Sequence, residues 1–241
     1  MSWRFFRWCD QGSLRDAVRL GVFHQRVAAT EVMGVDLPAV LQVLLEVARG
    51  VEHLHSNGLQ HCNMDNVLMQ SDATAPLGFV CKVADFGLLK LMGPDYHAAT
   101  GTIAHIAPEL AMAGMQAWAP EPQLAAAADA YAFGVLMYEL YSARRAFGGM
   151  PHDQIFDQVI SRGLRPSFPR SSPAELVRLA GSCWAAGPRE RPAFGEVVQR
   201  LELLLAAVSI VATARALPAQ RAAAAAVAAP DGGDGASDGD A

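Results

Sequence analysis

The sequence predicts a mainly helical domain that carries one small β-hairpin. Apolar residues recur at helical spacing over residues 36–57, and a second apolar helical pattern covers residues 129–140. Between them, short apolar runs at 67–69 and 80–83 flank a connection containing Ser, Asp, Thr, Pro and Gly, which is typical of two strands joined by a turn. Three further helices are expected at about 152–162, 173–184 and 193–208.

Composition excludes several classes of protein. The 241 residues suffice for one sizeable domain with its own core, and the formal net charge of −5 makes a nucleic-acid partner unlikely on electrostatic grounds. The four cysteines are scattered without a Cys-x-x-Cys pair, which argues against a disulfide framework and fits a reducing, cytoplasmic location. No uncharged apolar run reaches about 18 residues, so no membrane span is expected, and the first residues lack the pattern of a signal peptide.

The N-terminal segment contains a candidate strand and a short helix. Residues 3–9 are rich in aromatic side chains, and they form either an unpaired strand edge or a segment collapsed onto the helical surface. Ser13 is a plausible N-cap for a helix that runs to about Arg19. Asp16 lies three residues beyond Ser13, in a position that resembles a capping box.

The longest predicted helix begins at Asp36, which serves as its N-cap, and ends at Asn57 and Gly58. His53 and His55 lie two positions apart near its end, so they point in different directions. A metal-binding pair on one helical face needs a spacing of four residues. Surface or capping roles are therefore favoured over metal binding for these two histidines.

Two short loops carry the candidate chemistry. The first, at residues 61–66, follows the long helix, and the second, at residues 85–87, follows the second strand of the hairpin. Asp85 offers a carboxylate and Asn66 a side-chain carbonyl oxygen. Magnesium prefers oxygen ligands, and it is commonly bound by one or two protein ligands together with the phosphates of a nucleotide. The two loops therefore predict a magnesium–nucleotide site.

Five motifs occur in an order that resembles the eukaryotic protein kinases. Gly-Thr before Ala-Pro-Glu resembles the serine/threonine kinases, and the Cys-Trp and Arg-Pro pattern resembles their tyrosine-kinase-like branch. The resemblance implies a kinase C-lobe, which is a mainly α part of an α+β fold: a helical bundle with a small β-hairpin. The motifs are the catalytic-loop region at 51–66, Asp-Phe-Gly at 85–87, Gly-Thr to Ala-Pro-Glu at 101–109, the central-helix pattern at 129–136, and the closing pattern at 183–192.

The resemblance covers residues 1–208, which correspond to the hinge and the C-lobe. The Gly-rich loop, strand lysine and helix glutamate of a kinase N-lobe are not found in this sequence. Residues 209–241 are expected to form an Ala-, Gly- and Asp-rich disordered tail, because such a composition cannot bury a core. The alanine run at 222–226 is interpreted as frayed helix.

The resemblance also implies cofactors and a substrate. The cofactors are ATP and Mg²⁺, and the substrate is a Ser or Thr side chain of another protein. Asn66 and Asp85 would hold the metal ion, and Leu68 would join them in contacting the nucleotide.

The catalytic loop departs from the family pattern. Asn63 stands where the family has the aspartate that accepts or orients the substrate hydroxyl proton, and only two residues separate it from Asn66 instead of four. An amide has no basic lone pair for this task. Asp65 could take over this role, but it lies two positions after Asn63 in a shortened loop. An active kinase, a pseudokinase-type module that binds a partner protein, and a truncated product therefore remain open alternatives.

The remaining motif residues are expected to have structural roles by resemblance. Glu109 and Arg191 would form a buried ion pair, and Asp129 would accept hydrogen bonds from the catalytic-loop backbone. The other members of this group are His61 and Phe86 in an apolar column, Gly87 in the metal-binding loop, and Thr102 in the peptide-binding loop.

Overall fold

A computed structural model describes residues 9–26, 33–59, 66–84, 103–114 and 122–227. Within these residues the fold is mainly helical with short antiparallel strands, which confirms the predicted class. The helices are α1 (Leu14–Arg19), α2 (Leu37–Ser56), α3 (Pro108–Gly114), α4 (Pro122–Ser142), α5 (His152–Ser161), α6 (Ala174–Cys183) and α7 (Phe194–Val227). The strands are β1 (His24–Arg26), β2 (Met33–Val35), β3 (Val67–Ser71) and β4 (Phe79–Val83), and two 3-10 turns cover Ile103–His105 and Pro188–Glu190.

The first two helices begin as their sequences predict. The Ser13 hydroxyl accepts a hydrogen bond from the Asp16 amide at 3.1 Å and donates one to the Asp16 carboxylate at 2.7 Å. The Asp36 carboxylate accepts from the Ala39 amide at 3.1 Å. These side chains satisfy amides that the first helical turn leaves without a backbone partner, so each helix has a defined start.

The core of the domain surrounds α4. Residues 128–137 of this helix are buried on every side, so the predicted stripe of Phe133, Leu136, Met137 and Leu140 is only part of its buried surface. A helix that is apolar all round belongs in the interior. At Gly134, an added Cβ would lie 3.0 Å from the Cβ of Cys183, which shows how closely α6 approaches.

The predicted hairpin forms from β3 and β4, with Val67 opposite Val83. Its buried face packs on α2, where Glu46 accepts a hydrogen bond from the Cys81 amide at 2.9 Å. An added Cβ at Gly50 of α2 would lie 2.9 Å from a Val83 methyl group, so the glycine allows the close contact. Residues 10–13 run beside β3, and the Met69 amide donates to the Gly12 carbonyl at 2.9 Å.

Two features differ from the sequence prediction. The antiparallel pair of β1 and β2 was not predicted, because each strand has only three residues and His24–Arg26 shows no apolar alternation. The final helix runs to Val227 instead of about 208, in keeping with the high helix propensity of its alanines. The boundary at 208 and the disorder of the acidic end remain predictions, and the candidate strand at 3–9 lies largely outside the described residues.

The chain divides into two compact units, residues 1–205 and residues 206–241. The first unit contains the hairpin and the core around α4. Among the described residues, no helix combines the length and the apolar character that a membrane span requires.

Candidate functional site

The hairpin brings the end of the first predicted ligand loop close to the start of the second. Asn66 directly precedes β3, and Ala84 directly follows β4. The Ala84 amide donates a hydrogen bond to the backbone carbonyl of Asn66 at 2.9 Å. Asp85 is the next residue after Ala84 in the sequence and itself lies outside the described residues. The backbone contact therefore joins one predicted metal ligand to the immediate neighbour of the other.

Leu68 lies on the hairpin face opposite the buried side chains of Val67 and Met69. It is half-buried, it is paired across the hairpin with Lys82, and it forms an isolated bridge with Ser13. A half-buried apolar side chain at this position suits contact with a flat base, because ligand pockets combine apolar surfaces with a few polar groups. Its assignment to nucleotide binding stays a prediction.

Asp10 anchors the segment that runs beside β3. Its carboxylate accepts a hydrogen bond from the Ser71 amide at 2.8 Å, and this bond holds the pKa of Asp10 below its usual value. Gln11 adds a side-chain hydrogen bond to the Ser71 hydroxyl at 2.7 Å. Residues 10–13 are thus fixed to the hairpin along most of the length of β3.

The described chain contains five of the predicted site residues: Asn66, Leu68, Glu109, Asp129 and Arg191. The roles assigned to the others stay predictions, because these residues lie outside the described ranges. They are His61, Asn63, Asp65, Asp85, Phe86, Gly87 and Thr102.

The structure brings Glu109 and Arg191 together across 82 positions of sequence. The two guanidinium Nη groups donate to the two carboxylate oxygens at 2.6 and 2.9 Å, which is a bidentate arrangement. The Arg191 side chain is fully buried, and it also donates to the carbonyl groups of Ala127 and Ala185. The pair therefore ties α3 to α4 and to the segment before α7.

Asp129 is fully buried in α4, and its described partner is His55 at the end of α2. The His55 Nε2 atom lies 2.7 Å from the Asp129 carboxylate. The sequence favours a surface or capping role for His55; in the structure its side chain is 18% exposed and packs edge-on against Phe194. The spacing offered a signal, because His55 follows the buried Val51 by four residues on the same helical face.

The hydrogen bonds expected from the catalytic-loop backbone to Asp129 involve residues outside the described ranges, so that role stays a prediction. A carboxylate buried in an apolar helix needs a partner, and the imidazole of His55 supplies one. The contact fixes the end of α2, from which the catalytic-loop segment departs in the sequence.

A second histidine–carboxylate pair was missed by the sequence analysis. His105 Nε2 lies 3.1 Å from one carboxylate oxygen of Glu139, and the Ala146 amide donates to the other oxygen at 2.8 Å. Burial by itself would raise the pKa of Glu139, but the charge and hydrogen bond of His105, the hydrogen bond from Ala146 and the charge of Arg145 together outweigh it, so the pKa is lowered. The pair connects the 3-10 turn before α3 to the end of α4.

The described residues contain no cluster of three or more His, Cys, Asp or Glu side chains that could hold a metal ion by itself. The predicted donor set is different in kind, because it combines one amide oxygen and one carboxylate with phosphate oxygens. Such a set fits Mg²⁺, which binds few protein ligands when phosphates are present.

Comparison with known proteins identifies the class to which this fold and these motifs belong. The family model for protein tyrosine and serine/threonine kinases matches residues 4–201, which is most of the chain. The chain belongs to the protein kinase family.

Its relatives include both serine/threonine and tyrosine kinases. The chain is 31% identical over 176 residues to the serine/threonine/tyrosine-protein kinase HT1 of Arabidopsis thaliana, covering 71% of this chain and 42% of that protein. It is 32% identical over 178 residues to the megakaryocyte-associated tyrosine-protein kinase of Mus musculus, covering 73% of this chain and 32% of that protein. It is 31% identical over 185 residues to the tyrosine-protein kinase Srms of Mus musculus, covering 74% of this chain and 34% of that protein. The matched region is thus less than half of each of these relatives.

Proposed function

We propose that this chain is a protein kinase domain that uses ATP and Mg²⁺, and that its transfer of phosphoryl groups to Ser or Thr of other proteins is impaired or absent. The family membership supports the reaction class, and the altered catalytic loop supports the impairment. The cytoplasmic location inferred from the scattered cysteines is part of the same proposal.

One observation carries the nucleotide part of the proposal. The 2.9 Å hydrogen bond between Ala84 and Asn66 links the residue directly before Asp85 to Asn66 itself. In the proposed site, the Asn66 amide oxygen and the Asp85 carboxylate hold Mg²⁺, which neutralises charge on the phosphates. Leu68 and residues 10–13 contact the base.

The chemistry at Asn63 supports weak or absent transfer. Phosphoryl transfer depends mainly on positioning and on stabilisation of charge, and a carboxylate normally orients the attacking hydroxyl. An amide at position 63 can hydrogen-bond that hydroxyl but cannot take up its proton. Asp65 is the one carboxylate in the shortened loop, so any remaining activity is assigned to it.

A second candidate function is favoured by the same substitution. A kinase domain without its carboxylate can still present a folded surface to a partner protein. This function is a pseudokinase-type binding module, in which nucleotide binding is optional. The two candidates differ in whether the chain binds ATP in a metal-dependent manner.

Thermal unfolding of the full chain separates the candidates. ATP at about 100 times its dissociation constant stabilises a native state by about 2.7 kcal/mol, so we expect a rise in melting temperature with ATP and Mg²⁺. Asp85→Ala should abolish the metal-dependent rise. Asp153→Ala, which removes an exposed carboxylate on α5, is the matched control and should preserve it. A cooperative transition whose melting temperature is unchanged by nucleotide would overturn the ATP-binding proposal and favour the binding module.

A transfer assay follows if nucleotide binds. The full chain is incubated with ATP, Mg²⁺ and a generic protein substrate, and phosphate incorporation is compared with that of Asp65→Ala and Asn63→Ala. Loss of residual incorporation in Asp65→Ala alone would support the assignment of Asp65. Incorporation at the rate of an ordinary kinase would overturn the proposed impairment.

A further inference from the structure

We propose that α7 carries a surface through which the chain pairs, in antiparallel orientation, with a second copy of itself. Leu203, Ala207, Ile210 and Val211 form this surface, the α7 face. It shares no residue with the candidate nucleotide site. The proposal goes beyond phosphoryl transfer, and it holds whether or not the chain binds ATP.

The α7 face is apolar and open to solvent. Leu203, Ile210 and Val211 are 73%, 69% and 50% exposed, and Ala207 is exposed as well. The four residues follow the i, i+4, i+7, i+8 spacing that places side chains on one side of a helix. The sequence has no charged residue from 203 to 214, so no long charged side chain of this stretch can cover the face.

The other large apolar side chains that are exposed in the described part of the chain are scattered. They lie in the turn after α1, beyond the end of α2, in α3 and in α5: Leu20, Val22, Leu59, Met112 and Ile160. Scattered apolar side chains are normal at a protein surface, whereas a contiguous group marks a surface that binds a partner. The α7 face is such a group.

The order of large and small side chains favours a second copy as that partner. Ala207 and Ile210 are neighbours on the helix surface, so a small residue lies beside a large one. In an antiparallel pair related by a two-fold axis, Ala207 of each copy can lie opposite Ile210 of the other, so that each large side chain fills the space beside an alanine. A parallel pair would place the two isoleucines against each other and leave a gap at the alanines.

The size of the α7 face fits a weak dimer. Covering the face and its flanking residues in both copies would remove on the order of 1,000 Å² from water, which is close to the lower limit of specific interfaces. Burial of apolar surface supplies the driving force, and no charged group of the face has to lose its water. We therefore expect a dimer that forms as the protein concentration rises and that is not weakened by added salt.

Sedimentation velocity of the full chain over a series of protein concentrations tests the proposal. We expect the average mass to rise from that of one copy toward that of two. Ile210→Glu should weaken self-association at least about tenfold, because its carboxylate would be buried in an apolar contact. Leu20→Glu is the matched control, since it makes the same change at an 82% exposed leucine outside α7, and it should leave self-association unchanged. Thermal unfolding verifies that both variants fold.

A second substitution tests the orientation of the pair. Adding Ala207→Lys to Ile210→Glu places opposite charges across both contacts of an antiparallel pair, so part of the lost self-association should return. In a parallel pair the same double variant would place like charges together. Failure of the double variant to regain any self-association would overturn the antiparallel arrangement.

Three results would overturn pairing through this face. They are a chain that stays monomeric at every concentration, equal losses in Ile210→Glu and Leu20→Glu, and a monomeric chain that binds phosphatidylcholine vesicles through Ile210. The last result would assign the α7 face to a lipid surface. Since no nucleotide is added, failure of this test is distinct from failure of ATP binding.

Discussion

The charged side chains packed around α4 and two exposed arginines, one on α1 and one in the loop after α4, have opposite environments. Arg191 and Asp129 are fully buried, and each has a partner at hydrogen-bond distance. Arg19 and Arg144 are exposed, and the nearest carboxylate to Arg19 is 3.9 Å away. A buried charge without a partner is strongly destabilising, whereas an exposed one remains hydrated. We infer that the first group maintains the fold and that the second contributes little to its stability.

The largest effect is expected at the buried ion pair. Glu109→Ala leaves the Arg191 guanidinium buried without its carboxylate, and the free energy of unfolding should fall by about 3–5 kcal/mol. Urea denaturation followed by tryptophan fluorescence measures the change. The control is Glu202→Ala, which breaks an ion pair with Arg49 of similar length, 2.7 Å, in which both side chains are about half exposed. It should cost no more than about 1 kcal/mol, and equal losses in the two variants would contradict a larger contribution from the buried pair.

A smaller, pH-dependent effect is expected from Glu139. Because its pKa is lowered in the folded state, its charged form contributes stability above its usual pKa of 4.5. That contribution is lost as the pH falls through the lower, folded-state pKa, at about 1.4 kcal/mol for each unit of difference. Denaturant unfolding between about pH 3 and 6, a window around the usual pKa of 4.5, should show a smaller change of unfolding free energy with pH for Glu139→Gln. Glu202→Gln is the exposed control, and an unchanged slope in Glu139→Gln would show that the pair with His105 does not stabilise the fold.

The smallest effect on stability is expected at the exposed arginines of α1 and of the loop after α4. Arg19→Gln with Arg144→Gln should change the free energy of unfolding by no more than about 0.5 kcal/mol, because neither guanidinium group is buried. The free energy of unfolding of this variant is measured by urea denaturation under the same conditions as that of Glu109→Ala. A loss of more than about 2 kcal/mol would mean that these exposed arginines support the fold.

The features that could be predicted from sequence are mostly local. The caps at Ser13 and Asp36 and the β3–β4 hairpin depend on residues close together in the chain, so their patterns are visible in the sequence. The pairs of His55 with Asp129 and His105 with Glu139 join residues 74 and 34 positions apart. No periodic pattern encodes such contacts, and only tertiary packing reveals them.

The substitution at Asn63 was predicted from sequence because the family motif gives an expected residue at each of its positions. The roles of Asn63, Asp65 and Asp85 remain predictions that the proposed nucleotide and transfer assays test.

The burial of α4 on all sides has a consequence for hydrogen exchange. Backbone amides at residues 131–137 are shielded by the surrounding helices, so they can exchange with solvent deuterium only when the whole first unit opens. Amides of the short β1–β2 pair can exchange through local opening. The slowest-exchanging amides of α4 therefore report the global unfolding free energy under native conditions, without denaturant.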